Sequence, residues 1–332
     1  MKKIASLLAP LVVAALAAPA GAVSNASVPT VHRSVSHGVR TLAVNPQVAS
    51  AASGVGINLD VVGRLTGNGI LFRTSVDIAN NTNTDTQVDA YFSGLIGGSH
   101  VDITVSVGAD GLNDQGAVQL AGRSVYHSDD FIDDLKQLGL ISQSEEDAGV
   151  LGSLFVIFNS PSAGLFDQIG QGTVQARFYS ENADGTIGVS ASGHELTTTE
   201  PTSLVGIVRD TVGESGTPQL YTNMFINNEG YADNSGNIIA NPVQIRLTGY
   251  SNVTGQVTGQ SGLITIGPFE TVGISKTFDV VNGNHAQDDT LIVFVDIISG
   301  NSAISGLTST NDNGTKDPSG AQLRPADWSA GR

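Results

Sequence analysis

From residue 57 onward, apolar and polar side chains alternate with a period of two over most of the chain. Val101-Asp102-Ile103-Thr104-Val105-Ser106-Val107 is the clearest run. Such alternation puts one face of a strand in a core and the other in water. Val76 and Ile78, then Val88, Ala90 and Phe92, follow the same rule, with Asp77, Asp89 and Tyr91 between them. Leu154-Phe155-Val156-Ile157-Phe158 is apolar throughout and reads as a strand buried on both faces. Asp110-Gly111 and Asn113-Asp114 mark turns, because these residues tolerate tight or left-handed backbone.

One stretch has a helical period instead. Ser128 is the expected N-cap, Asp129, Asp130, Asp133 and Asp134 suit the positive end of a helix dipole, and Phe131, Ile132, Leu135 and Leu138 share a face. Gly139 is the expected stop. Ser142 to Gly149 is expected to be an acidic loop.

The pattern also repeats. Leu71-Phe72-Arg73-Thr74-Ser75-Val76-Asp77-Ile78-Ala79-Asn80-Asn81 is echoed by Leu220-Tyr221-Thr222-Asn223-Met224-Phe225-Ile226-Asn227-Asn228. Gln87–Gly94 is echoed by Val243–Tyr250, and Gly172–Tyr179 by Thr290–Ile297. The second unit is shorter inside, and the helix and acidic loop are the text expected to be missing from it. Phe72-Arg73-Thr74 with Asn80, Tyr221-Thr222-Asn223 with Asn227, and the polar closing segment Asn311–Asp317 resemble tandem Ig-like β-sandwich repeats of secreted bacterial proteins. The likeness covers roughly Ile57 to Leu323, and it departs where Thr222 stands opposite Arg73. It implies an all-β fold of two tandem Ig-like antiparallel sandwiches, the first with an inserted short helix, and it implies no assigned activity.

The expected organisation is a signal peptide over 1–22, a flexible spacer over 23–55 and a sandwich over 56–198 with a helix near 128–140. A second sandwich over 203–323 and a tail over 324–332 complete it. Lys2 and Lys3, the apolar run Ile4–Ala18 and the small residues Ala20-Gly21-Ala22 form the secretory signal, with cleavage expected after Ala22. The run is shorter than a membrane span, so no stable membrane insertion is expected. The chain has no cysteine, which excludes disulfides and a lipid-anchored N-terminal cysteine. Such a chain must be held together by its core, and it is long enough for two.

Charge removes one class of partner. The chain carries 15 basic and 31 acidic residues, net −16, and loses two of its lysines with the signal. A phosphate backbone would be repelled, so no nucleic acid partner is expected.

Catalytic constellations are not found. His194-Glu195 begins like a zinc-protease motif, but Thr198 stands where the second histidine belongs. Gly259-Gln260-Ser261-Gly262 lacks the spacing of a nucleophile elbow. Adjacent acids such as Asp129-Asp130 and Asp288-Asp289 read as surface or helix-start charge.

No cofactor is expected, with calcium the one candidate, because hard cations take several oxygens from short loops. Asn81, Asn83 and Asp85 have that spacing, and Asp233, Asp312, Asn313 and Asp317 lie in similar loops. Turn chemistry is the alternative reading of each. The reading that follows is an exported, non-catalytic structural or interaction module, secreted or periplasmic, that binds a protein or glycan partner through loops or sheet edges. Its loops of interest are the gap after Asn228 and Glu145-Glu146-Asp147. The alternative is a carbohydrate-binding module using Tyr91, Tyr126, Tyr179, Tyr231 and Tyr250. A hydrolase built on scattered Asp, Ser and His is the third.

Overall fold

The computed structural model describes residues 30–32, 55–67, 70–97, 99–159, 172–182, 185–195, 203–212, 218–232, 238–282, 288–312 and 318–326. The signal, most of the spacer, the 196–202 junction, Asp233, Asn313, Asp317 and Trp328 lie outside them.

The chain is all-β. Its first half holds β1 (Thr30–His32), β2 (Val55–Gly67), β3 (Ile70–Asn80), β4 (Thr86–Ile96), β5 (Ser99–Gly108) and β6 (Gly111–Asn113). β7 (Gln119–Leu120), β8 (Val125–Ser128), α1 (Phe131–Gln137), α2 (Gln143–Ala148) and β9 (Val150–Asn159) follow. β10 (Gly172–Asn182), β11 (Gly185–Ser192) and β12 (His194–Glu195) close it.

The second half starts with β13 (Leu204–Val212), β14 (Pro218–Asn228), β15 (Tyr231–Ala232), β16 (Ile238–Ile239) and β17 (Val243–Ser251). It continues with β18 (Val257–Gln260), β19 (Ile264–Ile266), β20 (Thr271–Ile274), α3 (Thr277–Val281) and β21 (Thr290–Ser299). β22 (Ile304–Asp312), β23 (Pro318–Gln322) and β24 (Arg324–Pro325) end it.

Strand order is β5-β4-β9-β2-β3-β10-β11 in the first half and β18-β17-β21-β13-β14-β22-β23 in the second. The two paths correspond position by position, and their neighbours are antiparallel. One parallel pairing, β1 on β5, extends the first path from within the expected spacer. A single strand turns the corner in each half. β2 pairs β9 along most of its length and β3 at its end, and β13 does the same with β21 and β14. A strand that switches partners folds one path into two packed layers. The alternating residues then meet inside. Val76, Ile78, Val88, Phe92, Leu154 and Phe158 belong to one core, and Met224, Ile226, Ile245, Leu247, Val293 and Val295 to another.

Hydrogen bonds fix how the halves match. Thr74 Oγ1 bonds Gly63 N and O, and Thr222 Oγ1 bonds Arg209 N and O. The Asn80 side chain donates to Thr84, Leu120 and Ala121 carbonyls, and Asn228 donates to those of Asn241, Ile266 and Gly267. Thr222 therefore corresponds to Thr74, not Arg73, and Asn228, not Asn227, to Asn80. Arg73 and Thr74, or Asn227 and Asn228, differ by one position, and in a strand that is the difference between opposite faces.

The helices depart from the sequence expectation in three ways. Asp130, not Ser128, caps α1, with its carboxylate accepting from Asp133 N, while Ser128 ends β8 opposite Val76. The expected stop is correct: Gly139 sits at φ +74°, where a side chain would strain the backbone. The acidic loop is instead α2, closed by a capping box between Ser142 and Glu145. Glu146 is buried there, 2.6 Å from Arg64 and 2.8 Å from Lys136, so its charge is held in an internal network. The second half also has a helix, α3, after β20, just as α1 follows β8.

A candidate site at the junction of the halves

The two halves share a polar junction enclosed by apolar contacts. Asp60 lies on β2 where the β2–β9 register slips, which turns its side chain away from the first core. Its Oδ1 accepts from Asn58 Nδ2 at 3.1 Å and, from the second half, Ser305 Oγ at 2.6 Å. Asn58 also donates to Asn227 Oδ1 at 3.1 Å, and Thr271 Oγ1 to the Asp60 carbonyl at 2.9 Å.

His194 reaches the same place from β12, which pairs with β2 through His194 opposite Asn58. Its Nε2 lies 2.5 Å from Glu229 Oε2 and 3.8 Å from Asp60 Oδ1. Glu229 follows β14, tied by its amide to the Ala303 carbonyl. Asp60 and Glu229 are 3% and 2% exposed, and His194 keeps a partly open edge. Ligand atoms of the three lie within 4.8 Å of one another, the one such group of three among the described residues.

The electrostatics of the cluster are one-sided. Burial opposes the charged imidazole, but the Glu229 hydrogen bond and the Asp60 and Glu229 charges outweigh it and push His194 up to about 9. Burial pushes the Asp60 carboxyl up, with His194 pulling it back. Two buried acidic side chains thus flank one imidazole.

Around the cluster the contact is apolar. Phe269 meets Tyr91 edge-on at 6.0 Å between centroids and packs with Phe155, Ile157 and Ala240. Val61, Leu151 and Leu307 form a second contact with Phe225 beside them. A narrow apolar depression, lined by Phe178, Val189, Phe225 and Leu307 among others, adjoins that contact.

A separate polar row lies under the Phe269 loop. Ser93 Oγ donates to Asp102 Oδ1 at 2.7 Å, and His100 Nε2 is 3.0 Å from the same oxygen. Ser93 Oγ also lies 3.2 Å from that one nitrogen, so His100 does not relay between serine and aspartate.

The expected calcium residues do not converge with these groups. Asn81 donates to Thr173, Asn83 accepts from Arg123 Nε, and Asp85 accepts from Gly122 N, each a bond that braces a turn. Asp312 pairs with Leu220 in the strand ladder. Tyr91, Tyr126 and Tyr179 are buried, which removes three of the five aromatics that a sugar-stacking surface required. The hydrolase candidates are dispersed: Asp130 pairs with Arg64, Asp129 with His127, and His194 with Glu229. No described helix is long and apolar enough to cross a membrane.

Sequence reasoning weighed His194 as half of a dipeptide motif and as one of the scattered hydrolase candidates, and it passed over Asp60 and Glu229. Comparison with protein-family models, curated proteins and solved structures finds no match for this chain.

Proposed function

We propose that the chain is an exported, non-catalytic interaction module made of two Ig-like sandwich domains descended from one unit, and that its partner surface is the outer face of the second β5-β4-β9-β2-type layer. One observation carries this reading. On the β18-β17-β21-β13 layer, Ile207, Ile292, Tyr250 and Val257 stand in one cross-strand row facing outward, with Ile207 57%, Val257 48% and Ile292 38% exposed. Phe294 adjoins the row, edge-on to Tyr250 at 5.3 Å. Contiguous apolar surface of this kind marks interaction sites.

The occupant that fits is a second copy of this chain. The corresponding face of the first half is already covered, by the Gly267–Glu270 loop between β19 and β20. Its counterpart in the first half is the Ala121–Ser124 loop between β7 and β8. Glu270 N bonds Gly267 O as Ser124 N bonds Ala121 O, and Phe269 and Arg123 hold the same left-handed backbone at φ +56° and +62°. That first-half loop is largely exposed, and it presents Arg123, a cation suited to the Tyr250 and Phe294 rings. The same docking repeated between copies is head-to-tail and extends into a chain.

Sedimentation equilibrium of the mature protein tests this. Apparent mass should rise with concentration for wild type and stay monomeric for Ile292→Glu, with the melting temperature of the variant little changed. A wild type that stays monomeric at high concentration, or a variant that associates equally well, would overturn the reading.

A further inference from the structure

We infer that Asp60, His194 and Glu229 form a binding site for a borderline divalent cation of the zinc class, which clamps the two halves together. The inference does not depend on the docking of a second copy.

The donor set is the first argument. One imidazole nitrogen and two carboxylate oxygens from three separate segments meet within 4.8 Å. Nitrogen with oxygen at low coordination number suits zinc and its neighbours rather than calcium, which requires six to eight oxygens. Three protein ligands leave a fourth position for water, and the partly open edge of His194 is where solvent reaches the cluster.

Burial is the second argument. Asp60 and Glu229 are 3% and 2% exposed, and acidic side chains are kept so far from water where a paired or metal partner meets them.

Support for the ligands is the third. Asp60 is braced by Ser305 and Asn58, and Asn58 in turn by Asn227. Glu229 is fixed through its own amide. Outer partners that orient ligands in this way are a regular part of metal sites. Because Asp60 and His194 belong to the first half and Glu229 to the second, a bound ion ties the halves directly, and binding to the folded state alone stabilises it.

The test uses full mature protein stripped of metal with chelator. Equilibrium dialysis against zinc, and cobalt as a spectroscopic substitute, should give one ion per chain, with visible cobalt absorption of a low-coordinate site. Glu229→Gln and His194→Gln should each weaken binding by about 100-fold or more, while Asp85→Asn leaves it unchanged. Uptake of no stoichiometric ion by stripped wild type would overturn the site without any variant having to fold. Equal binding by wild type and both junction variants would also overturn it, since the ion would then sit elsewhere.

Discussion

The outer faces of the two β5-β4-β9-β2-type layers are built alike, but one is covered within the chain and the other is open. In the first half Asn58, Phe155 and Tyr91 form one cross-strand row, and Ser153 and Ser93 the next. In the second half the matching rows are Val205, Phe294 and Thr248, then Ile207, Ile292 and Tyr250. The polar row is the covered one: Ser153 donates to the Phe269 carbonyl at 3.0 Å, and Ser93 to Asp102. The apolar row is the open one. A face covered within the chain can use hydrogen bonds whose partners are always present, because each buried polar group must find one. The open face holds apolar side chains, which need no fixed acceptor.

The largest effect should come from the covered side. Phe269→Ala removes a buried ring from between the halves, and truncations of this kind cost about 3–5 kcal/mol. Urea unfolding should show that loss. A cost near zero would mean that the halves do not lean on this loop.

Next come the matched asparagines. Asn80→Ala and Asn228→Ala each remove the side-chain donor to a buried carbonyl, that of Leu120 or of Ile266, at about 1–3 kcal/mol. Similar losses would sharpen the correspondence between the halves, and a strong loss in only one would break it.

The polar row under Phe269 gives a pH dependence. For Asp102, burial acts to raise the carboxyl, but hydrogen bonds and charge from His100, with Ser93 and Tyr91, win and lower it. Its contribution is present above the unfolded carboxylate value and is lost as pH falls through the lowered one. For His100, burial acts to lower the imidazole, but Asp102 and then Glu270 of the second half raise it. Its contribution is full below the unfolded histidine value and is lost as pH rises through the raised one. Melting temperature should therefore be highest between the two limits, and Asp102→Asn should flatten both limbs. An unaltered profile in that variant would contradict the assignment.

The smallest effect belongs to the open face. Ile292→Ser should change the stability of the isolated monomer by no more than about 0.5 kcal/mol, as exposed substitutions do. A loss of several kcal/mol would show that the face is already engaged within the chain.

Much of this fold was legible from the apolar pattern alone. Val101–Val107 reads as a strand because its alternation reports one buried face, and Leu154–Phe158 because an unbroken short apolar run reports two. The matching of the halves was off by one residue, because Asn227-Asn228 offers two candidates and only the hydrogen bonds to Ile266, Gly267 and Asn241 choose between them. α2 was missed through its acidic content, although Ser142-x-x-Glu145 carried a capping-box signal. The junction cluster was invisible for a different reason. His194 and Glu229 are 35 residues apart, and Asp60 meets Ser305 across 245, so only the packing of the two halves brings them together.

The absence of cysteine from the chain makes a clean crosslinking measurement possible. One preparation carries Arg123→Cys and a second Ile292→Cys, and the two are mixed under mild oxidation. Docking of the first-half loop on the open face predicts that mixed 123–292 dimers dominate. Dimers formed only between like chains, or no dimers at all, would contradict the claim that this face receives a second copy.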